Sequence, residues 1–372
     1  MDEMKNKRYS LVIILVFAAI IGGLPILNIL ISPPDILISE RRVRERRPNF
    51  SFESFVQGDF MTDFEPYAAD RFPFRDRFRA LHAATVFGVF LQTDKNGVYF
   101  DTNGLGSFEA VNEQSAGLLA DKIVAISDGF GELNIFYAFI PDKSIYADRV
   151  MPGFDYRLTE RILRDRLISD EFTFIPLVGA LDSDSFYRTD LHWCQVSIGD
   201  AAYVFGEAMG VEIDFQQFSK QYAGQFRGGY AGQFAFPVRS ESLYFLYNPD
   251  IKAFYMNMGT RVFEEGPVYD LEMFYGIDPY DIFLRGAQPL IMLENRNATS
   301  DRALYIFRDS FASNLAPILA SAYSRVTLID LRFIDLRTVH QLIDFESGSD
   351  LLFLFSSGIL NNSDMLLVPL QN

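Results

Sequence analysis

The feature that most constrains the fold is an uncharged apolar segment near the start of the sequence. Leu11 to Ile31 reads LVIILVFAAIIGGLPILNILI, which is long enough to cross the hydrocarbon core of a bilayer as a helix. Lys5, Lys7 and Arg8 precede it, and no Ala-x-Ala cleavage site follows. The segment therefore predicts a retained transmembrane anchor over 11–31 behind a short cytoplasmic tail over 1–10, in preference to a cleaved signal peptide.

The charges beside this segment do not decide its orientation. The basic residues before it favour an N-terminus in the cytoplasm. Arginines just beyond it oppose that orientation, because the positive-inside rule keeps such residues in the cytoplasm. These arginines are Arg41, Arg42, Arg44, Arg46 and Arg47. Charge counting alone therefore leaves the topology open.

Composition restricts the function of the rest of the chain. The apolar fraction is 49%, with 37 Phe and 18 Tyr, so a large core can form and disorder is not expected. The formal net charge of −16 repels phosphate backbones, so no nucleic-acid partner is expected. A single cysteine, Cys194, excludes a disulfide framework, and a lone thiol is more often a small core residue than a nucleophile.

The pattern after the anchor divides the chain in two. Residues 32–90 read as a charged juxtamembrane linker followed by helices, which Pro66 and Pro73 should separate. Residues 91–372 read as one α/β domain with an irregular, Gly- and aromatic-rich insert at about 211–295. The elements predicted in its first half are an Asn96-Gly97 turn, a helix over 113–129, a buried strand over 133–140 and, after Thr189-Asp-Leu191, a helix over 192–210.

The last third gives the clearest prediction. Apolar strands over 303–307, 326–331 and 351–355 alternate with helices over 311–323 and 336–343, which is typical of a parallel sheet with crossover helices. Catalytic residues in such sheets lie at the carboxyl ends of the strands. Ser310, in the turn after the first of these strands, has that position.

Three residues form a candidate catalytic set. None of the three histidines has metal-ligand spacing to another, so no metal site is expected. Asp190 lies two residues before His192, and a neighbouring carboxylate can hold an imidazole in the tautomer that accepts a serine proton. Ser310 supplies the hydroxyl. The alternatives are structural, because Asp190 and Ser310 could each simply cap a helix.

The sequence around His192 resembles a known family. Arg188 to Trp193 reads RTDLHW, and Gly199 and Ala201-Ala202-Tyr203 follow. These residues resemble the Asp-His-His-Trp signature of the DHHW family, which is similar to the alginate O-acetylation proteins of the SGNH-hydrolase-like class. Further stretches agree in order along most of the chain beyond residue 35: KNGVYF (95–100), PDKSIY (141–146), DPYDIF (278–283), RDSFA (308–312) and IDLR (329–332).

The resemblance implies an α/β fold, namely a three-layer SGNH-hydrolase-like parallel sheet with circularly permuted catalytic order. It implies that Ser310 takes up an acyl group, that His192 is the base and that Asp190 orients it. It also implies a single-pass cell-membrane protein whose C-terminal domain is extracytoplasmic. There the domain would add O-acetyl groups to a cell-surface polysaccharide or remove them, beside a membrane-bound O-acyltransferase. No cofactor is expected.

The sequence departs from the family pattern in two places. Leu191 replaces the first histidine of the signature, and the stretch that should carry an oxyanion-stabilising asparagine reads FSSGILN. The oxyanion candidates are therefore Ser356, Ser357 and Asn361. Further candidates for the cleft are Lys143, Trp193, Arg188 and Arg332.

A different class of function stays open beside the enzyme. Loss of an oxyanion donor can cost about a hundredfold or more in rate, so the fold could serve a catalytically silent glycan-binding or assembly protein of the cell envelope. The aromatic stretch from Tyr222 to Phe234 could then stack on sugar rings, although packing is the commoner role for such residues.

Overall fold

The computed structural model describes residues 2–30, 33–107, 109–130, 132–148, 154–169 and 171–368. These residues form two compact units. The first contains the chain up to Gln92 together with 232–237, and the second contains 93–231 and the chain from Val238 onward.

The first unit begins with the apolar helix. Helix α1 (Asp2–Leu30) contains a 20-residue stretch, Tyr9–Asn28, with a mean hydropathy of 2.7 and no buried portion. In the described part of the chain, this is the one helix long and apolar enough to cross a membrane. Ile31, the last residue of the predicted anchor, lies outside the described residues.

The rest of the first unit is mainly helical. Its remaining elements are the two-residue strands β1 (Ile36–Leu37) and β2 (Arg42–Val43) and the helices α2 (Phe52–Gln57), α3 (Asp59–Asp70) and α4 (Arg75–Gly88). Pro73 separates α3 from α4, as predicted. The predicted break at Pro66 is wrong, because Pro66 lies within α3. The other break falls at Gly58, whose φ of 92° ends α2 in the left-handed conformation that glycine tolerates.

An eight-stranded mixed sheet forms the centre of the second unit. Its strands run in the order β11-β10-β12-β14-β13-β15-β6-β7. The strands from β14 to β7 are parallel, and β12, β10 and β11 extend the sheet antiparallel. Their bounds are β6 Asn134–Ile140, β7 Phe172–Phe174, β10 Ile251–Asn257, β11 Val262–Gly266, β12 Leu290–Asn295, β13 Ser300–Arg308, β14 Tyr323–Ile329 and β15 Asp350–Ser356.

Both faces of this sheet are buried by helices. On one face, side chains such as Ile306 and Leu354 pack with those of α7 (Gly199–Met209) and α9 (Ala312–Leu319). On the other face, the alternate residues Phe307 and Phe353 pack with α5 (Glu113–Ser127), α6 (Tyr156–Arg166) and α10 (Leu336–Leu342). Burial on both sides explains the continuous apolar runs of the central strands. The fold is therefore a three-layer α/β fold with a parallel-rich sheet, as predicted.

Smaller elements complete the second unit. They are the sheet of β3 (Asp94–Lys95), β4 (Val98–Asp101) and β5 (Gly104–Ser107), the hairpin of β8 (Ser219–Phe226) and β9 (Glu241–Tyr247), α8 (Gly229–Phe234) and α11 (Ser357–Asn361). Helix α8 carries the chain from the second unit into the first. Asn96 and Gly97, with φ of 55° and 74°, form the predicted turn between β3 and β4.

Two predictions about this unit are wrong. The region 211–295 is not an irregular insert, since it supplies β8 to β12 and thus three strands of the main sheet. The helix predicted over 192–210 begins only at Gly199, and at its predicted start the Asp190 carboxylate accepts a hydrogen bond from the His192 N–H. Such side-chain bonds to nearby backbone compete with helix formation.

Candidate active site

Ser310 lies in a tightly fixed turn at the end of a central strand. Strand β13 ends at Arg308, and α9 begins at Ala312. The carboxylate of Asp309 accepts a hydrogen bond from the Phe311 N–H (3.0 Å) and two more from the N–H (2.7 Å) and hydroxyl (2.6 Å) of Ser356. The turn is thereby joined to the end of the neighbouring strand β15, and Ser310 stays partly exposed.

The structure brings Ser310, His192 and Asp190 together. The Oγ of Ser310 is 2.9 Å from Nε2 of His192, and Nδ1 of His192 is 2.7 Å from Oδ1 of Asp190. Asp190 is fully buried and His192 is 5% exposed. A carboxylate, an imidazole and a hydroxyl in this order can activate the hydroxyl as a nucleophile.

Backbone groups from another part of the chain hold Asp190 in place. Its Oδ2 accepts a hydrogen bond from the Gly229 N–H at 2.7 Å. The hydroxyl of Thr189 donates to Glu241 (2.5 Å) and accepts from the Gly228 N–H (2.7 Å). Sequence reasoning missed Gly228, Gly229 and Glu241. The adjacent glycines of Arg227-Gly-Gly-Tyr230 are the one signal that could have indicated a close backbone approach.

The imidazole lies between two aromatic rings. Tyr280 stacks on His192 with ring centroids 3.7 Å apart and planes 8° apart, and Phe311 contacts it at 4.8 Å. Burial raises the pKa of the Tyr280 phenol well above its usual value, so this ring stays neutral. The stack fixes the plane of the imidazole, and a neutral ring can also stabilise an imidazolium. Tyr280 belongs to the DPYDIF stretch but was not predicted as a site residue.

The predicted oxyanion donors are occupied by other partners. The hydroxyl of Ser356 donates to Asp309, and that of Ser357 donates to Asp142 at 3.2 Å. The Asn361 amide accepts from the Asn112 N–H and donates to the Ala110 carbonyl. The backbone N–H of Ser310, by contrast, has no acceptor among the described residues. It lies just before α9, where an N–H group can stabilise a developing oxyanion.

The four predicted cleft residues have different environments. Lys143 is buried and donates to the carbonyl oxygens of Leu105 and Tyr187 (2.7 and 2.6 Å). Trp193 is fully buried, and its indole donates to the Phe311 carbonyl at 2.9 Å. These two therefore brace the backbone around the site and do not face a cleft. Of the other two, Arg332 pairs with Asp330 through two bonds, and Arg188 is exposed and donates to the Thr102 carbonyl.

In the part of the chain that the structure describes, neither the single thiol nor a metal centre offers an alternative to this set. Burial raises the pKa of the Cys194 thiol, which disfavours the reactive thiolate. Among the described residues, no three His, Cys, Asp or Glu side chains are grouped as metal ligands.

The buried ammonium of Lys143 predicts a pH effect on stability. Burial lowers its pKa to about 8, whereas an unfolded lysine has a pKa of about 10.4. At pH values between these two pKa values, the unfolded chain therefore binds more protons than the folded chain. As the pH rises above about 8, Lys143 should therefore raise the free energy of unfolding by up to about 1.4 kcal/mol per pH unit.

Urea unfolding of the wild type and Lys143→Met at about pH 8 and 9.5 measures this contribution. The wild type should gain more stability than the variant over that interval. Equal gains would contradict the assignment of the depressed pKa to Lys143.

Comparison with solved structures identifies the fold. The chain matches a DHHW family protein from Eubacterium siraeum with a TM-score of 0.59 and 17% identity, over 73% of this chain and 94% of that one. It matches Bacillus cereus PatB1, solved with a sulfonyl adduct, with a TM-score of 0.55 and 17% identity, over 73% and 98%. The chain has the SGNH-like fold of these proteins.

A weaker structural match and the sequence searches complete the comparison. The O-acetyltransferase domain of Pseudomonas putida AlgJ matches with a TM-score of 0.42 and 14% identity, over 71% of this chain and 92% of that one. No protein-family model matches the sequence. No curated protein matches it either.

Proposed function

We propose that the protein is a membrane-anchored, SGNH-like O-acetyltransferase or acetylesterase that acts on a cell-surface polysaccharide. The observation that carries the proposal is the continuous contact from Asp190 through His192 to Ser310 at 2.7 and 2.9 Å. The DHHW-like residues around both ends of this set support the acetyl and polysaccharide parts of the proposal. Helix α1 would be the anchor, with the second unit outside the cytoplasm.

The proposed chemistry has two steps. In the first, Oγ of Ser310 attacks the acyl carbonyl carbon while Nε2 of His192 takes the hydroxyl proton. The leaving alcohol then receives that proton, and the acyl group remains on Ser310 as an ester. In the second step, His192 removes a proton from water or from a sugar hydroxyl, and the oxygen of that group attacks the ester carbonyl. His192 then donates the proton to Oγ of Ser310 as the ester bond breaks. Asp190 keeps Nδ1 protonated throughout.

The nature of the acyl acceptor distinguishes the two versions of the enzyme. Water gives an esterase, and a sugar hydroxyl gives a transferase that would receive its acetyl groups from a membrane-bound O-acyltransferase. The Ser310 N–H is the oxyanion donor in either version. Its placement just before α9 supports this role.

A catalytically silent glycan-binding protein is the second candidate. It is favoured by one observation, namely that Ser356, Ser357 and Asn361 all have other hydrogen-bond partners. A hydrolysis assay separates the two candidates, because a silent protein would not cleave acetyl esters.

Reaction with a sulfonyl fluoride tests the proposed nucleophile directly. Phenylmethylsulfonyl fluoride should modify the full-length protein once, at Ser310, because His192 activates that hydroxyl. Peptide mass spectrometry locates the adduct. His192→Ala should block the reaction, whereas His340→Ala, which changes a histidine in α10, should not. Labelling elsewhere, or equal labelling of both variants, would contradict the proposal.

The packing around Gly228 predicts a second effect on activity. A Cβ at this position would overlap the Thr189 carbonyl oxygen and the Cβ of Asp190. Gly228→Ala should therefore displace Asp190 and lower kcat/KM for p-nitrophenyl acetate by about a hundredfold. It should also cost about 1–3 kcal/mol of stability.

Gly179→Ala is the matched control for this change, since a Cβ there meets nothing within 4 Å. The control should keep both activity and melting temperature. Unchanged kcat/KM in Gly228→Ala would show that the position of Asp190 does not depend on this contact.

A further inference from the structure

A groove in the second unit has the chemistry of a sugar-binding subsite. It lies between the β8–β9 hairpin and the β10–β11 edge of the main sheet, with a volume of about 620 Å³. Ligand clefts in proteins commonly have volumes of about 300 to 1,000 Å³. Aromatic side chains line it, namely Phe245, Tyr247 and Tyr269, together with Leu271. Tyr247 is 44% exposed, so its ring is available to stack on a ligand.

The charges that line the groove cancel. Lys252 and Glu265 are the two charged residues in its lining, and they form an ion pair at 3.2 Å. The lining therefore has no unpaired cation to balance the carboxylates of a uronate polymer. Beyond the groove, residues 93–231 and 238–372 carry 38 acidic and 21 basic side chains, a formal charge of −17. An anionic polysaccharide would be repelled by this surface.

The groove is linked to the candidate active site through one loop. The Asp270 N–H bonds the Ile282 carbonyl at 2.9 Å and closes the intervening loop at its base. Leu271 of this loop lines the groove, and Tyr280 of the same loop stacks on His192. Leu271 and Tyr280 are nine positions apart along the chain, so their Cα atoms lie within about 32 Å of each other.

We propose that this groove binds a neutral stretch of the polysaccharide whose acyl group reaches Ser310. The proposal rests on the proposed function for its polymer class and adds that uronate polymers are excluded. Sugar rings would stack on Tyr247, and their hydroxyls would meet polar groups such as the amide of Gln221, which also lines the groove. Aromatic faces bind the apolar face of a sugar without requiring charge.

Binding can be tested without catalysis. Full-length Ser310→Ala protein in detergent would be titrated calorimetrically with neutral hexasaccharides of glucose, mannose and N-acetylglucosamine, and with a mannuronate hexasaccharide. At least one neutral hexamer should bind, and the mannuronate hexamer should bind at least about tenfold more weakly. Adding Tyr247→Ala should weaken neutral binding about tenfold. Adding Tyr203→Ala, which changes another exposed tyrosine, on α7, should leave it unchanged.

Three outcomes would overturn the proposal: no neutral hexamer binds, the mannuronate hexamer binds as tightly as the best neutral one, or Tyr203→Ala weakens binding as much as Tyr247→Ala. Because Ser310 is absent throughout, these outcomes are independent of whether the protein is an acyltransferase. In the same background, the melting temperature of Tyr247→Ala should equal that of Tyr203→Ala. A lower melting temperature for Tyr247→Ala alone would show a general structural effect and would also count against the subsite.

Discussion

Ser310→Ala is expected to lower kcat for p-nitrophenyl acetate hydrolysis by about four to six orders of magnitude. The hydroxyl is the only group of the Asp190-His192-Ser310 set that can form the acyl ester, and its loss removes the covalent route altogether. His192→Ala should have an effect of similar size. The double variant should be hardly slower than either single variant, because the two residues act as one unit.

Steady-state kinetics on the full-length protein, with melting temperatures measured in parallel, provides the test. Ser324→Ala is a suitable control, since this serine donates to the Asp301 carbonyl at the far end of the sheet. The control should keep the wild-type rate. If Ser310→Ala also kept it, the hydroxyl would not be the nucleophile and the glycan-binding candidate would be favoured.

Asp190→Asn is expected to lower kcat by about four orders of magnitude while the fold is retained. In the wild type, the Gly229 N–H donates to Oδ2 of Asp190 at 2.7 Å. The amide of the variant still offers an oxygen to this N–H. Its NH₂ group would then face Nδ1 of His192 and favour the wrong tautomer. The negative charge that stabilises the imidazolium would also be lost.

Glu241→Gln separates this electronic effect from loop positioning. Glu241 accepts bonds from the N–H and hydroxyl of Thr189 but does not contact His192. The variant should lose far less activity than Asp190→Asn at similar stability. Equal losses in both variants would show that Asp190 acts by shaping its loop and not by orienting the imidazole.

The turn that carries Ser310 could be predicted because its signals are local. An apolar run, a polar turn and an apolar helix occupy about 20 consecutive residues, from Ser300 to Leu319. Burial on both faces of the sheet makes β13 and β15 continuous apolar runs, which are easy to find in a sequence. The pairing of Asp190 with His192 is also local, at a spacing of two residues.

The groups that support the site could not be predicted in the same way. Gly228 and Gly229 act through backbone N–H groups, which leave no side-chain signal. Tyr280 lies 88 positions after His192 in the sequence, and only the folding of its loop brings the two rings into contact. The helix predicted over 192–210 starts only at Gly199. At its predicted start the side chain of Asp190 bonds the ring and the N–H of His192, an alternative that apolar periodicity does not register.

The partners of the predicted oxyanion donors were missed for a related reason. Their position after a strand places Ser356 and Ser357 at the same edge of the sheet as Ser310, but sequence does not reveal which acceptor a hydroxyl will bond. Asp309 directly precedes Ser310, and it accepts hydrogen bonds from the N–H and the hydroxyl of Ser356. That choice depends on the contact between the ends of β13 and β15, where Asp309 and Ser356 are 47 residues apart in the sequence.

The position of β15 has a consequence for how the protein is made. This strand lies between β13 and β6, and its partner residues in β6 are 216 positions earlier in the chain. Until β15 has been synthesised, the apolar strands β13 and β6 have unpaired edges in the middle of the future sheet, and such edges recruit other chains. Nascent chains should therefore depend on a holding chaperone until β15 emerges, and stop codons before Asp350 should give insoluble or degraded protein instead of a weakened enzyme.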